Sequence, residues 1–408
     1  MLIRSIKQTN LLSFGPDSEE IELKKLNVLI GPNGSGKSNL LEGIDILRSA
    51  PRDLVTPIRE GGGIHDWIWR GNPEGTARIE AIVENPQGSQ ALRYWLGFAE
   101  RGQRFELIEE RIENEQSDEG HVEPYIYYNQ KGGQAFITYK DETGLGPTVE
   151  ASVKAKYPNV RLRLGRYDLR PEEVKLDQSI LSQRKGPDLP ELTYLGETLS
   201  RIRIYREWSL GRDSPLRLPQ KPDLPNDFLQ EDGKNLALVL NSFQDKPAVK
   251  RRVLDALSKF YEGITDFHVK IAGGTVQLSL VEGDVVIPAT RLSDGTLRYL
   301  CLLAVICHPE PPPLICIEEP ELGLHPDILP TVSKLLLEAS ERSQLIVTTH
   351  SDMLVDTLTN EWRSIVVCEK RDGQTVMRRL DEERMVAWLE NYRLGELWSS
   401  GEIGGNPW

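Results

Sequence analysis

The chain has 408 residues, 39% of them hydrophobic and 27% charged, and 49 basic against 62 acidic side chains leave a net charge of −13. That length and composition suit two or three packed domains, or one large domain with insertions, and argue against a disordered chain, a collagen or a coiled-coil rod. The acidic balance disfavours a protein that coats nucleic acid over its whole surface, while leaving room for a local basic patch.

In chain order, residues 3–10 and 21–23 read as short strands. Leu26-Asn27-Val28-Leu29-Ile30 follows as a nearly continuous apolar run, the pattern of a strand buried on both faces. After a glycine-rich turn, Leu40, Leu41, Ile44 and Leu47 recur at helical spacing. From about 76 to 140 the period becomes two. Ala77, Ile79, Ala81 and Val83 alternate with polar residues, as do Leu92, Tyr94, Leu96 and Phe98, so a half-exposed antiparallel meander is expected. Residues 141–230 carry weak periodicity, and positions 154–221 hold 15 basic against 9 acidic residues. Helical spacing returns at 235–243 and 248–261. A hairpin is expected over 267–281, and 290–380 alternates helix with apolar strand, as a parallel sheet does.

The longest apolar run, Tyr299 to Cys307, spans nine residues, well short of the about 20 that a membrane span requires. The first residues show no signal-peptide pattern. Cys301, Cys307, Cys316 and Cys368 lie in apolar segments without metal-type spacing. The expectation is a cytoplasmic protein with buried, reduced thiols and no membrane contact.

Gly31-Pro32-Asn33-Gly34-Ser35-Gly36-Lys37-Ser38 fits G-x-x-x-x-G-K-[ST], with a buried strand before it and an amphipathic helix after it. The glycines let consecutive N–H groups curl inward, and the helix start adds a positive dipole end. Lys37 is expected to reach the β- and γ-phosphates of ATP, and the Ser38 hydroxyl to bind Mg²⁺. Downstream, Leu314-Ile315-Cys316-Ile317 runs into Glu318 and Glu319. Such a strand delivers two carboxylates to the sheet edge that carries the phosphate loop. Glu318 is the expected Mg²⁺-side acid, and Glu319 the residue that orients or deprotonates water. A second buried strand, Leu345 to Thr349, ends at His350, placed to contact a γ-phosphate. Ser293-Asp294-Gly295-Thr296 opens an apolar helix, and a serine with a glycine at a helix start can form a second anion site.

The order of phosphate loop, L-S-D-G-T, E-E-P-E, G-L-H-P and T-T-H-S resembles the ABC-type ATPases of the SMC and RecF class. It is most like the small bacterial AAA-family, overcoming-lysogenization-defect-like ATPases, over about 1–100 and 230–380. The resemblance implies an α/β P-loop fold of ABC-ATPase head type, a mixed sheet with an antiparallel β-subdomain and a helical insert. The implied divisions are an N-terminal lobe (1–150), a basic helical insert (151–230), a C-terminal lobe (231–380) and a helix with a Gly/Trp-rich tail (381–408). Ser293, Asp294, Gly295 and Thr296 match the signature that contacts ATP on an opposite subunit, Gly323 to Asp327 match the D-loop, and His350 the switch histidine. Two departures stand out. Glu318 occupies a position where the class usually has Asp, and no clear glutamine fills the Q-loop place, where His65 in the loop of Gly61, Gly62 and Gly63 is a candidate substitute against the alternative of a glycine-rich surface loop.

No long heptads join the two halves, and 256 positions separate Lys37 from Ser293, which disfavours an SMC rod and a transporter subunit respectively. The segment beyond His350 is too short for a Toprim nuclease domain. The function these features imply is an ATP-hydrolysing homodimeric switch that controls a separate effector, such as a nuclease or toxin in phage defence. The alternative is a DNA-binding clamp in repair that uses 154–221. Trp398 and Trp408 are expected to pack the tail or dock a partner.

Overall fold

The computed structural model describes residues 1–117, 120–139 and 165–405. Part of the basic stretch (154–164) and Trp408 lie outside the described residues. The chain divides into two compact units. The first comprises Met1–Leu23, Ser38–Ile202 and Lys370–Met377; the second comprises Lys24–Lys37, Arg203–Glu369 and Arg378–Trp408.

The first unit is built on an eight-stranded sheet. Its order is Ile21–Glu22, Ile3–Thr9, Ala77–Val83, Leu92–Arg101, Arg104–Asn114, Ile126–Lys131, Gln134–Tyr139 and Gly165–Leu169. Every neighbouring pair is antiparallel. The alternation read from 77 onward corresponds to this sheet, with Ala77, Ile79 and Ala81 buried and Arg78 exposed between them. Helix Lys37–Ser49 buries Leu40, Leu41, Ile44 and Leu47, as its spacing predicts. It lies so close to strand Ile3–Thr9 that a Cβ on Gly43 would stand 2.0 Å from Gln8 Nε2, whose amide donates to the Leu40 carbonyl at 3.0 Å. Among the described residues no helix is long and apolar enough to cross a membrane.

A buried carboxyl sits in this sheet. Glu110 is fully enclosed, and it accepts hydrogen bonds from the Tyr94 hydroxyl, the Ser179 hydroxyl and the Ile180 amide. Burial pushes its pKa up to about 7, against the pull of those three donors. A carboxyl raised on folding binds its proton more tightly in the folded state. Its stabilising contribution is therefore complete below its ordinary pKa and fades as pH rises through about 7. A rise of that size corresponds to about 3 kcal/mol across the window. Glu110→Gln should flatten this dependence. The check is denaturant unfolding at pH 5 and pH 8, and a variant with the wild-type slope would contradict the assignment.

The second unit holds a six-stranded sheet in the order Arg203–Tyr205, Leu314–Glu318, Gln344–Thr349, Leu26–Ile30, Ile365–Arg371 and Gln374–Arg379. The pairs from Arg203–Tyr205 across to Ile365–Arg371 are parallel. Strands Leu26–Ile30 and Gln344–Thr349 are buried at every position, as a parallel sheet covered on both faces requires. Helix Asp294–Ile306 is buried from Thr296 to its end, and each large aliphatic side chain so enclosed contributes about 1.5–3 kcal/mol. A three-stranded antiparallel sheet, Ile264–Ala272, Thr275–Glu282 and Val285–Pro288, adds one strand to the expected hairpin.

The segment 151–230, expected as one helical insert, is divided. Its described part to Ile202 belongs to the first unit and includes a sheet strand, whereas Arg203 onward belongs to the second. The physical reason is the edge strand Arg203–Tyr205, which joins the parallel sheet beside Leu314–Glu318. At three residues it is too short to leave a periodic trace. Trp398 packs inward, and its Nε1 donates to the Gly405 carbonyl at 3.1 Å.

Candidate active site

The parallel register explains why residues far apart in sequence meet. Glu318 pairs with Thr348, Thr348 with Leu29, and Thr349 with Ile30. One residue further along each strand come Glu319, His350 and Gly31. The three strand ends therefore open at one edge of the sheet, where ligands of open α/β sheets bind.

At that edge the loop from Gly31 to Gly36 turns through backbone conformations that suit glycine. Gly31, Gly34 and Gly36 have φ of 153°, 76° and 98°. A Cβ on Gly31 would lie 2.2 Å from the Cys368 carbonyl oxygen, whereas the space beside Gly34 is open. The loop feeds the 13-residue helix Lys37–Ser49, so Lys37 and Ser38 sit in its first turn. Pro32, Asn33 and Ser35 complete the loop, and Ser35 N donates to the Pro32 carbonyl at 3.2 Å.

Lys37 is only 6% exposed. Its Nζ donates to the carbonyls of Gly31 at 2.7 Å and Pro32 at 3.0 Å. Burial pulls its pKa below the ordinary lysine value, and Cys368, Glu319, Glu318 and Glu321 oppose that pull. The cation, the phosphate-loop amides and the glutamates thus share one small volume. The pattern alone suggests a solvated lysine, but the structure encloses it against its own loop.

Glu319 has φ of 45°, unusual for a residue with a Cβ. Its amide is held by the Thr348 carbonyl at 3.0 Å and the Thr348 hydroxyl at 3.3 Å. His350 Nε2 lies 3.9 Å from Glu319 Oε1. Burial and the Lys37 charge hold the His350 pKa below its ordinary 6.5, with Glu319 opposing. Ser351 caps the next helix by accepting from Leu354 N at 3.1 Å.

The signature residues lie in the same unit. Ser293 is the N-cap of helix Asp294–Ile306, its hydroxyl accepting from Thr296 N at 3.1 Å. Ser293 and Asp294 are exposed, and Thr296 is buried. Gly295 stands so near the D-loop segment that a Cβ there would be 3.0 Å from the Gly323 carbonyl oxygen.

Two residues without an assigned role in the pattern emerge here. Arg217 braces the signature. Its guanidinium pairs with Asp294 and donates to the carbonyls of Leu292, Ala289 and Gly211. That bond holds the Asp294 carboxyl below the usual range. Arg217 was counted in the basic stretch 154–221, but its charge is spent on Asp294. Glu321, in the E-E-P-E run, accepts from the Thr349 hydroxyl and the His350 amide. His65 lies in the first unit, with Nδ1 3.1 Å from Glu100 Oε2.

The donor set fits a nucleotide with its magnesium. Among the described residues no group of three or more His, Cys, Asp or Glu could hold a metal, so Mg²⁺ would need phosphate oxygens and water to complete its shell, the usual habit of this ion.

A glycine phosphate loop, an acid-tipped neighbouring strand and a capped helix on a parallel sheet make up an α/β P-loop fold of the ABC-ATPase head type, the fold of SMC heads. The chain belongs to the family described as "AAA domain, putative AbiEii toxin, Type IV TA system", whose model matches residues 26–152 and 157–356. Solved structures of similar fold include an Smc head bound to the C-terminal winged-helix domain of ScpA. It has 15% identity and a TM-score of 0.54, covering 95% of this chain and 100% of that one. An Smc head with an extended coiled coil, bound to the C-terminal domain of ScpA and derived from Pyrococcus furiosus, has 15% identity and a TM-score of 0.52, covering 96% and 99%. An Smc head with a coiled coil and joint from Pyrococcus yayanosii has 13% identity and a TM-score of 0.50, covering 96% and 99%. At these identities the likeness concerns the fold. No curated protein matches the chain.

Proposed function

We propose that the chain binds Mg²⁺-ATP, closes with a second copy around it, hydrolyses it, and uses that cycle to control a separate effector protein. The observation that carries this reading is the in-register edge where Gly31–Lys37, Glu318–Glu319 and His350 converge. In the reaction, the loop amides and Lys37 cradle the β- and γ-phosphates. Ser38 and Glu318 would hold Mg²⁺, which neutralises charge on the transferring phosphoryl group. Glu319 orients water and takes its proton, and His350 contacts the γ-phosphate as a hydrogen-bond donor.

Closure of two copies is supported by Ser293, exposed as the N-cap of a 13-residue helix whose N-terminal dipole end favours an anion from outside. The toxin–antitoxin description of the family, and Smc heads seen with ScpA domains, support a protein effector. A DNA clamp finds less support, because the described part of 154–221 is split between two units and Arg217 is paired internally.

Two variants test the closure. Ser293→Arg removes the N-cap, at a cost of about 1 kcal/mol, and places a bulky cation on the closing face. Ser293→Asp keeps a capping oxygen but opposes phosphate charge. Both should spare ATP binding and abolish ATP-dependent association in light scattering, together with hydrolysis. Association and turnover unaffected by either change would contradict the ATP-sandwiched dimer.

A further inference from the structure

Glu321 follows Glu319 by two positions, across Pro320, and its side chain meets the end of strand Gln344–Thr349. Its Oε1 receives two hydrogen bonds, from the Thr349 hydroxyl at 2.6 Å and from the His350 amide at 3.0 Å. Both donors belong to the end of strand Gln344–Thr349, the point at which that strand stops and His350 begins. Thr349 is fully buried, and its hydroxyl also accepts from Ser351 N at 3.0 Å. One carboxylate oxygen thus ties together three successive residues around the histidine. The acidic turn is held from the other side as well, by the Glu319 amide on Thr348.

The second carboxylate oxygen is left open. Oε2 is buried without a hydrogen-bond partner among the described residues. A buried acceptor left open costs stability. Departures from local optimality concentrate at functional sites. Glu321 also lies close enough to Lys37 to act on its charge.

We propose that Glu321 is a positioning residue for hydrolysis: through Oε1 it locks the tip of strand Gln344–Thr349 and thereby sets where the His350 imidazole stands relative to Glu319. The inference rests on the ATPase reading above. The 3.9 Å between His350 Nε2 and Glu319 Oε1 is then maintained by a bond network that touches neither imidazole nor substrate. A misplacement of about 1 Å at such a group can lower turnover about a hundredfold.

The test is steady-state ATP hydrolysis by the full chain, with ATP affinity measured separately. Glu321→Ala should lower kcat about tenfold or more and leave ATP affinity within about twofold, because the affected group acts on the transition state. Glu321→Gln keeps an acceptor oxygen at the Oε1 position and should stay within about threefold of wild type. Thr349→Val, close in shape, removes one of the two donors and should lower kcat less than Glu321→Ala. The His350 ring resonances should move in Glu321→Ala and return in Glu321→Gln. Wild-type kcat in Glu321→Ala would overturn the proposal. So would a loss in Glu321→Gln equal to that in Ala, which would assign the role to the charge. If Glu321→Ala does not fold, wild-type turnover and unmoved His350 resonances in Thr349→Val would overturn it. Failure of the wild-type chain to hydrolyse ATP would instead sink the ATPase reading, and this inference with it.

Discussion

Lys37→Ala should weaken ATP binding at least about a hundredfold. A charge-assisted hydrogen bond contributes about 1.5–3 kcal/mol, and each 1.4 kcal/mol is about tenfold in affinity. Lys37 can offer such bonds to two phosphate groups. The structure adds a prediction for stability. Lys37 is buried against the Gly31 and Pro32 carbonyls. Its removal leaves two acceptors short of a donor, which destabilises. It also removes a cation whose depressed pKa records incomplete compensation for burial, which stabilises. The two effects oppose, so unfolding should shift by no more than about 1 kcal/mol, or about 3 °C. Isothermal titration with a non-hydrolysable ATP analogue and a thermal melt measure both. Unchanged affinity would remove the phosphate loop from the mechanism.

Glu319→Gln should bind ATP normally and turn over at least about a hundredfold more slowly, the usual effect of removing a general base. The geometry makes this substitution clean. The backbone at 319 has positive φ and is anchored by its amide to Thr348. Gln meets the same backbone restriction as Glu, so the side chain should remain beside His350. The variant should therefore accumulate as an ATP-bound dimer in light scattering. Glu318→Gln should differ, with loss of the Mg²⁺ dependence of binding before loss of the chemical step. Normal turnover in Glu319→Gln would place the base on another residue.

The parts of this site that could be read from the sequence are those carried by neighbouring residues. Gly31 to Ser38 is a contiguous loop whose glycines, lysine and serine declare their chemistry in order. The strands Leu26–Ile30, Leu314–Glu318 and Gln344–Thr349 are legible because a strand buried on both faces carries a mostly apolar run. The antiparallel alternation is legible at Ala77–Glu80 and Leu92–Trp95 for the complementary reason, buried positions there alternating with more exposed ones, whereas residues 81–83 and 96–99 are buried on both faces.

What stayed hidden depends on partners distant in the chain. Arg217 meets Asp294 across 77 positions, and neither residue is unusual where it stands. Counted by composition, Arg217 belongs to a basic stretch; placed by the fold, it is a brace for the signature helix. Arg203–Tyr205 becomes a sheet strand only because Leu314–Glu318 offers it an edge. The burial of Lys37 could not be read from its motif, because the carbonyls that take its hydrogen bonds are placed by the loop's own turn. Glu321 was visible as an acid in a run of acids, but its bond to the His350 amide needs the strand order.

The chemistry available to this protein is written locally in the chain: a phosphate-binding loop, two strand-end acids, a histidine and a capped signature helix, each specified by residues in immediate succession. The tertiary structure decided which of those groups act together. Parallel register brings Gly31, Glu319 and His350 to one edge of the sheet, and long-range hydrogen bonds, donated by Arg217 and accepted by Glu321, hold two of the pieces in place. The division has a physical cause. Backbone conformation and hydrophobic period are local properties of the chain, whereas charge pairing and sheet register exist only once distant segments have packed.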